Sequence, residues 1–254
     1  MPKIFVTGMP RSGTSMMSNI LTKMGCDFIC GHETIDDIYN HIFNPDGYFQ
    51  RKNIHFISYN RCIYLFDEKN MKIDLAVDDF RKLTINDDKF IGGKIVAIKD
   101  PYLLYILKDI ISDGIAIVMI RNLEDTIKSC KKFDSNCTFK DDIWLNYYKK
   151  FIDISPNIKY IIVDYDKLLS DPISTYTEFC EKILPLVPAL KKIDINSVVK
   201  VRKSPILKSS NYIHQIIRTN KIEDFDINKC MKYKPNDKCF CNSGKKYKIC
   251  CSKY

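Results

Sequence analysis

Short runs of apolar, mostly β-branched residues alternate along this chain with stretches whose apolar positions recur every three or four residues. Lys3 to Thr7 is the first such run, and Gly8 to Gly13 cannot extend it. From Thr14 the apolar residues Met16, Met17, Ile20, Leu21 and Met24 fall on one helical face, and Gly25 ends the pattern. A second run, Ile95 to Ile98, ends in Lys99-Asp100-Pro101, and Leu103 to Ile111 reads as a helix. The third, Ile115 to Ile120, is continuous and is followed by Arg121 and a helical segment from Leu123 to Phe133. A fourth, Tyr160 to Val163, precedes Asp164-Tyr165-Asp166 and a helix from about Pro172 to Leu184. Short apolar strands alternating with amphipathic helices predict an α/β fold, a mostly parallel sheet flanked by helices and buried on both faces. Residues 34–90 hold many aromatics and no clean period, which suits a substrate-facing insertion, and residues 186–228 are equally without pattern.

Length adds an appendage to that picture. At 254 residues the chain accommodates one large domain, expected over 1–228, and a small unit over 229–254, joined through Lys234-Pro235-Asn236-Asp237. No apolar run approaches the length of a membrane span. Met-Pro-Lys leads straight into Ile4-Phe5-Val6 with no room for a signal sequence, so a cytoplasmic location is expected. The net charge of +9 is unevenly spread: eight lysines and one aspartate after residue 228 leave the body near neutral. The basic tail is either a solvated, solubilising segment or a contact for an acidic protein or nucleic-acid surface. Four of eleven cysteines, Cys239, Cys241, Cys250 and Cys251, lie within the last sixteen residues. Clustering of this kind without a secretion signal indicates metal rather than disulfides, while the scattered cysteines read as small buried hydrophobes.

The turn after the first strand carries the chemistry. Gly8-Met9-Pro10-Arg11-Ser12-Gly13-Thr14-Ser15 has the outline of a phosphate-binding P-loop, in which backbone N–H groups and a helix N-terminus face an anion. It departs from the triphosphatase pattern in one respect. Thr14 stands where a lysine is expected, and the cation is instead Arg11, inside the loop. An ordinary glycine turn before a helix is the plainer reading of these residues taken alone.

Pro10-Arg11-Ser12-Gly13-Thr14-Ser15 resembles the 5′-phosphosulfate loop of sulfotransferases that use 3′-phosphoadenosine 5′-phosphosulfate (PAPS) and release 3′-phosphoadenosine 5′-phosphate (PAP). In that family an arginine at a strand end and a serine eight residues later bind the 3′-phosphate, and Arg121 and Ser129 stand at that spacing. Ile98-Lys99-Asp100-Pro101, Asn44-Pro45-Asp46-Gly47-Tyr48-Phe49 and the string from Val163 to Pro172 are similar to further family segments. The resemblance implies a P-loop-like sulfotransferase fold over about residues 3–185, with donor contacts from Pro10, Arg11, Ser12, Gly13, Thr14, Ser15, Arg121 and Ser129. Arg11 is the expected stabiliser of charge on the bridging oxygen. For the general base, Glu33 in Gly31-His32-Glu33-Thr34 resembles the base of tyrosylprotein sulfotransferases, with Asp100 as the second candidate at a strand C-terminus.

At the C-terminus, Cys239-Phe240-Cys241 and Cys250-Cys251 bracket Ser243-Gly244-Lys245-Lys246-Tyr247 and resemble the SEC-C motif, which implies a structural zinc ion on four thiolates. Two other functional readings stay open beside the sulfotransferase: a kinase with a degenerate loop, and a nucleotide-binding adaptor that docks through the knuckle. The acceptor class is not specified by any of these residues.

Overall fold

The computed structural model describes residues 3–28, 95–111, 114–133, 141–201 and Asn236. Within them five strands form one sheet: β1 (Ile4–Gly8), β2 (Asp27–Phe28), β3 (Val96–Lys99), β4 (Ile115–Ile120) and β5 (Tyr160–Asp164). Their order is β2-β3-β1-β4-β5, and all four pairings are parallel. This is the fold class expected from the alternating pattern.

Every residue of β1, β3 and β4 is buried, so both faces of the central sheet are covered. That explains why these strands read as unbroken apolar runs rather than alternations. On one face Ile4, Val6, Ile117, Met119, Ile161 and Val163 join a core with Met17, Ile20 and Leu21 of helix α1 (Thr14–Lys23). On the other, Thr7 Oγ1 lies 3.0 Å from the Tyr147 hydroxyl of helix α4 (Asp141–Ile154). Both hydroxyls reach the Pro101 carbonyl, at 3.1 and 2.7 Å, so this polar knot in the core is satisfied. Phe151 of the same helix meets Tyr160 edge-to-face, with ring centroids 5.0 Å apart.

The predicted helix over Leu103 to Ile111 divides into a 3-10 turn (Pro101–Tyr105) and a single α turn, α2 (Leu107–Ile110). Leu103, Leu104, Leu107 and Ile111 are all buried, so the segment is held by packing around it rather than by one amphipathic face. Helix α3 (Leu123–Phe133) follows β4, a short α5 (Tyr165–Ser170) follows β5, and α6 (Pro172–Ile183) comes next. Asp171 caps α6 by accepting from Ser174 N–H, with Pro172 in the first turn. Cys26, Cys130 and Cys180 are buried and form no disulfide, as hydrophobe-like cysteines should be. Burial pushes the Cys26 thiol up to about 12. No described helix is long and apolar enough to cross a membrane.

The segment after α6 belongs to the core. Val187, Leu190, Ile195 and Val199 are buried against the sheet's helices. Lys191 N–H donates to the Met24 carbonyl at 2.9 Å, and Ile193 N–H to the Tyr176 hydroxyl at 3.0 Å. Leu190→Ala and Ile195→Ala should each destabilise the protein by about 2–4 kcal/mol, read by chemical denaturation. A loss below about 0.5 kcal/mol would show that this segment only lies on the surface.

Candidate functional site

Register places the site. Gly8 pairs with Met119, Val6 with Lys99, and Ile120 with Asp164, so the C-terminal ends of β1, β3, β4 and β5 lie along one edge of the sheet. From β1 the chain builds toward β2 and β3 on one side, then crosses to β4 and β5 on the other. Connections leaving β1 and β4 therefore diverge, and the crevice between them is where open α/β sheets bind ligands.

The loop after β1 is shaped by its backbone. Gly8, Arg11 and Gly13 all have positive φ, at 152°, 70° and 93°. A Cβ on Gly8 would lie 2.5 Å from the Met119 carbonyl oxygen, and one on Gly13 would run into the Tyr165 ring. Only glycine lets the loop close against its neighbours at these points. Ser12 N–H donates to the Met9 carbonyl at 2.9 Å, which tightens the turn. Gly13 begins α1 with no side-chain cap, so the first-turn amides of Thr14, Ser15 and Met16 have no intrahelical acceptor. Such an end attracts an anion. Pro10 and Arg11 sit partly exposed on the rim, whereas Ser12 is fully buried and its hydroxyl has no hydrogen-bond partner.

Side chains from three other elements reach this loop. Arg11 Nε donates to Ser129 Oγ of α3 at 3.0 Å. Arg121 Nη1, from the end of β4, donates to the Arg11 carbonyl at 2.9 Å. Lys99 Nζ, from the end of β3, donates to Ser15 Oγ at 3.2 Å. Arg11, Arg121 and Ser129, far apart in sequence, thus form one hydrogen-bonded chain, with Lys99 on the neighbouring hydroxyl.

The segment after β5 braces Arg121. Its guanidinium lies over the Tyr165 ring at 4.8 Å from the centroid, and Asp166 Oδ1 is 3.9 Å from Nε. Asp164 caps α5 by accepting from Asp166 and Lys167 N–H at 2.9 and 3.1 Å. Asn122 caps α3: its side-chain oxygen accepts from Asp125 N–H at 2.7 Å, and its Nδ2 donates to Asp125 at 3.0 Å. Ser129 is thereby carried on a helix whose start is fixed beside Arg121.

Asp100 is completely buried, and its N–H donates to the Val6 carbonyl at 3.1 Å. Glu33 lies outside the described residues, as do Cys239, Cys241, Cys250 and Cys251. Among the described residues no cluster of His, Cys, Asp or Glu is placed to hold a metal ion. Lys99 has no role in the sequence reading beyond its place in Ile98-Lys99-Asp100-Pro101, although a lysine ending the run Ile95 to Ile98 is a signal, since charge at a buried strand's C-terminus sits at the ligand edge. Tyr165 and Asp166 were seen as part of a string, but nothing in the string says that they face Arg121.

A parallel α/β sheet with an uncapped helix start, a glycine loop and three cations at one strand edge is an arrangement suited to an anion. Residues 2–183 match the model of the Sulfotransferase family, and residues 236–253 match the SEC-C motif. The chain belongs to the sulfotransferase family and carries a SEC-C motif at its C-terminal end. Among solved structures it is similar to the sulfotransferase domain from the Synechococcus PCC 7002 olefin synthase, at 14% identity and TM-score 0.44 over 91% of this chain and 92% of that one. It is also similar to the sulfotransferase domain from the curacin biosynthetic pathway, at 12% identity and TM-score 0.40 over 91% and 95%. No curated protein matches the sequence.

Gly13→Ala tests the loop. Both the backbone angle and the Tyr165 ring oppose the added methyl, so affinity for a phosphorylated nucleotide should fall at least about tenfold, and the melting temperature should drop as well. Unchanged binding in a calorimetric titration would mean that the loop does not hold the anion.

Proposed function

We propose that this chain moves a sulfuryl group from PAPS to a hydroxyl or amine of an acceptor. The observation that carries this reading is the hydrogen-bonded chain from Arg121 through the Arg11 backbone to the Arg11 side chain and Ser129. It joins an anion-binding loop to a second arginine–serine pair at one strand edge, which suits a donor with phosphate groups at both ends of its ribose. The residues fit that group: two glycine positions leave no Cβ in the loop, and the helix start has no cap of its own.

When bound, the donor supplies an activated sulfuryl group whose leaving group is a phosphate. In this reading the first-turn amides of α1 with Ser12, Thr14 and Ser15 hold the 5′-phosphosulfate end, and Lys99 adds a second positive charge beside Ser15. Arg121 and Ser129 take the 3′-phosphate. Ser129 accepts from Arg11 through its oxygen and keeps its own O–H to donate. Arg11 faces the bond that breaks and stabilises the negative charge developing on the bridging oxygen, an effect worth about 10²–10³ in rate for a well-placed donor. Glu33 is the base that removes the acceptor proton. The complete burial of Asp100 supports that choice, because an acceptor must touch its base. At the C-terminus the four thiolates of Cys239, Cys241, Cys250 and Cys251 suit one tetrahedral zinc ion in a structural role.

Calorimetric titration with PAP, beside ATP with magnesium, tests the donor site. PAP should bind without magnesium and more tightly than ATP, and Arg11→Ala and Arg121→Ala should each weaken it by about tenfold to a hundredfold. Preference for ATP with magnesium would refute the reading. Elemental analysis of the purified chain should find one zinc ion, lost in a Cys250→Ser/Cys251→Ser variant, with PAP affinity unchanged. Absence of zinc from protein purified without chelators would overturn the knuckle.

A further inference from the structure

Asp166 is 4% exposed and stands at the meeting point of the second phosphate subsite. Its Oδ2 accepts two hydrogen bonds of 2.9 Å from Asn122, one from the backbone N–H and one from Nδ2. Its Oδ1 faces Arg121 Nε at 3.9 Å, an ion pair too long to be a hydrogen bond. The guanidinium is held on two further sides, by the Arg11 carbonyl on Nη1 and by the Tyr165 ring beneath one face. These contacts leave the rest of the fork to an incoming anion. Asn122 is also the cap of α3, the helix that presents Ser129. One carboxylate therefore sets both the aim of Arg121 and the start of the helix bearing its partner.

We propose that Asp166 is a positioning residue for recognition of the donor's 3′-phosphate, acting through Arg121 and Asn122. This inference rests on the donor-site reading above. A carboxylate this close to an anion site opposes the anion by Coulomb repulsion, so its benefit must be geometric. The two effects have opposite signs. If only charge mattered, Asp166→Asn would remove a repulsion and tighten binding. If position matters, the isosteric amide leaves Arg121 without a counter-charge on its Nε edge, and binding of the 3′-phosphate weakens.

The test is calorimetric titration of the full chain with PAP and with adenosine 5′-phosphate, which lacks the 3′-phosphate, with thermal melting alongside. In D166N the PAP affinity should fall about tenfold while that for adenosine 5′-phosphate stays within about twofold, and D166E should fall between wild type and D166N. In an Arg121→Ala background D166N should cost clearly less than it does alone, about twofold to threefold, because only the route through Asn122 remains. Equal loss of both nucleotides, tighter PAP binding in D166N, or a full additive loss beside Arg121→Ala would each overturn the proposal. If D166N melts below the assay temperature, D166E carries the same comparison. A wild-type chain with no preference for PAP over adenosine 5′-phosphate would instead refute the donor site itself.

Discussion

The reversal from β1 into α1 within a few residues is the constraint on which the rest of this molecule depends. The chain must turn tightly enough to aim several amides at one point, and three of its residues take positive φ to do so. Two are glycines, each pressed against a neighbour that leaves no room for a side chain. The third is Arg11, for which a left-handed backbone costs about 1–2 kcal/mol. Its carbonyl accepts from Arg121 and its side chain donates to Ser129, so β4 and α3 hold the strained residue from both ends. Strain at the loop and the geometry of the second arginine are therefore one feature. Neither arginine can move without releasing the other.

Parallel pairing makes that coupling possible. Five strands ending at one edge bring together turns as far apart in sequence as those after Gly8 and Asp164, and the register fixes which turn meets which. Pairing of Ile120 with Asp164 places Asn122 and Asp166 side by side, where the carboxylate receives the Asn122 N–H that begins α3. Because both faces of the sheet are packed, a strand cannot slip by one residue without turning buried side chains to the wrong face. Core packing thus positions the charged groups at the edge.

Strands with two buried faces are the easiest elements to read, and β1, β3, β4 and β5 stand out as apolar runs with polar ends. The loop and Arg121 were legible for a related reason, since each sits where such a run stops, whereas Ser129, inside α3, stood out only through the family resemblance. Other parts were hidden by physics. β2 has two residues, too few for any period to show. The Leu103 to Ile111 segment is buried on several sides, so its apolar residues carry no helical stripe and its 3-10 start was missed. Helix α4 carries a usable spacing in Tyr147, Tyr148 and Phe151 that went unread. The likeness of Val163 to Pro172 to a family string proved to hold two different signals. Asp171-Pro172 is a helix start, whereas Tyr165-Asp166 braces the arginine across the crevice. Sequence order distinguishes neither.

In the proposed reading, the way charges are partnered along this edge lets it hold an anion despite its buried carboxylates. Asp164 accepts from backbone N–H groups at the start of α5, and Asp166 accepts from Asn122, so their negative charge is met by amide donors and a helix N-terminus. Arg11 and Lys99 each donate to a serine hydroxyl, and Arg121 donates to a backbone carbonyl. The amides answer the carboxylates, while the hydroxyls, the carbonyl and, for Arg121, the Asp166 carboxylate aim the cations toward the uncapped start of α1. In the triphosphatase pattern a lysine at position 14 would supply that charge from the helix. Here Thr14 leaves the helix start neutral, and the charge arrives from Arg11 within the loop and from the ends of β3 and β4. Cations contributed from three elements thus replace the single lysine of that pattern.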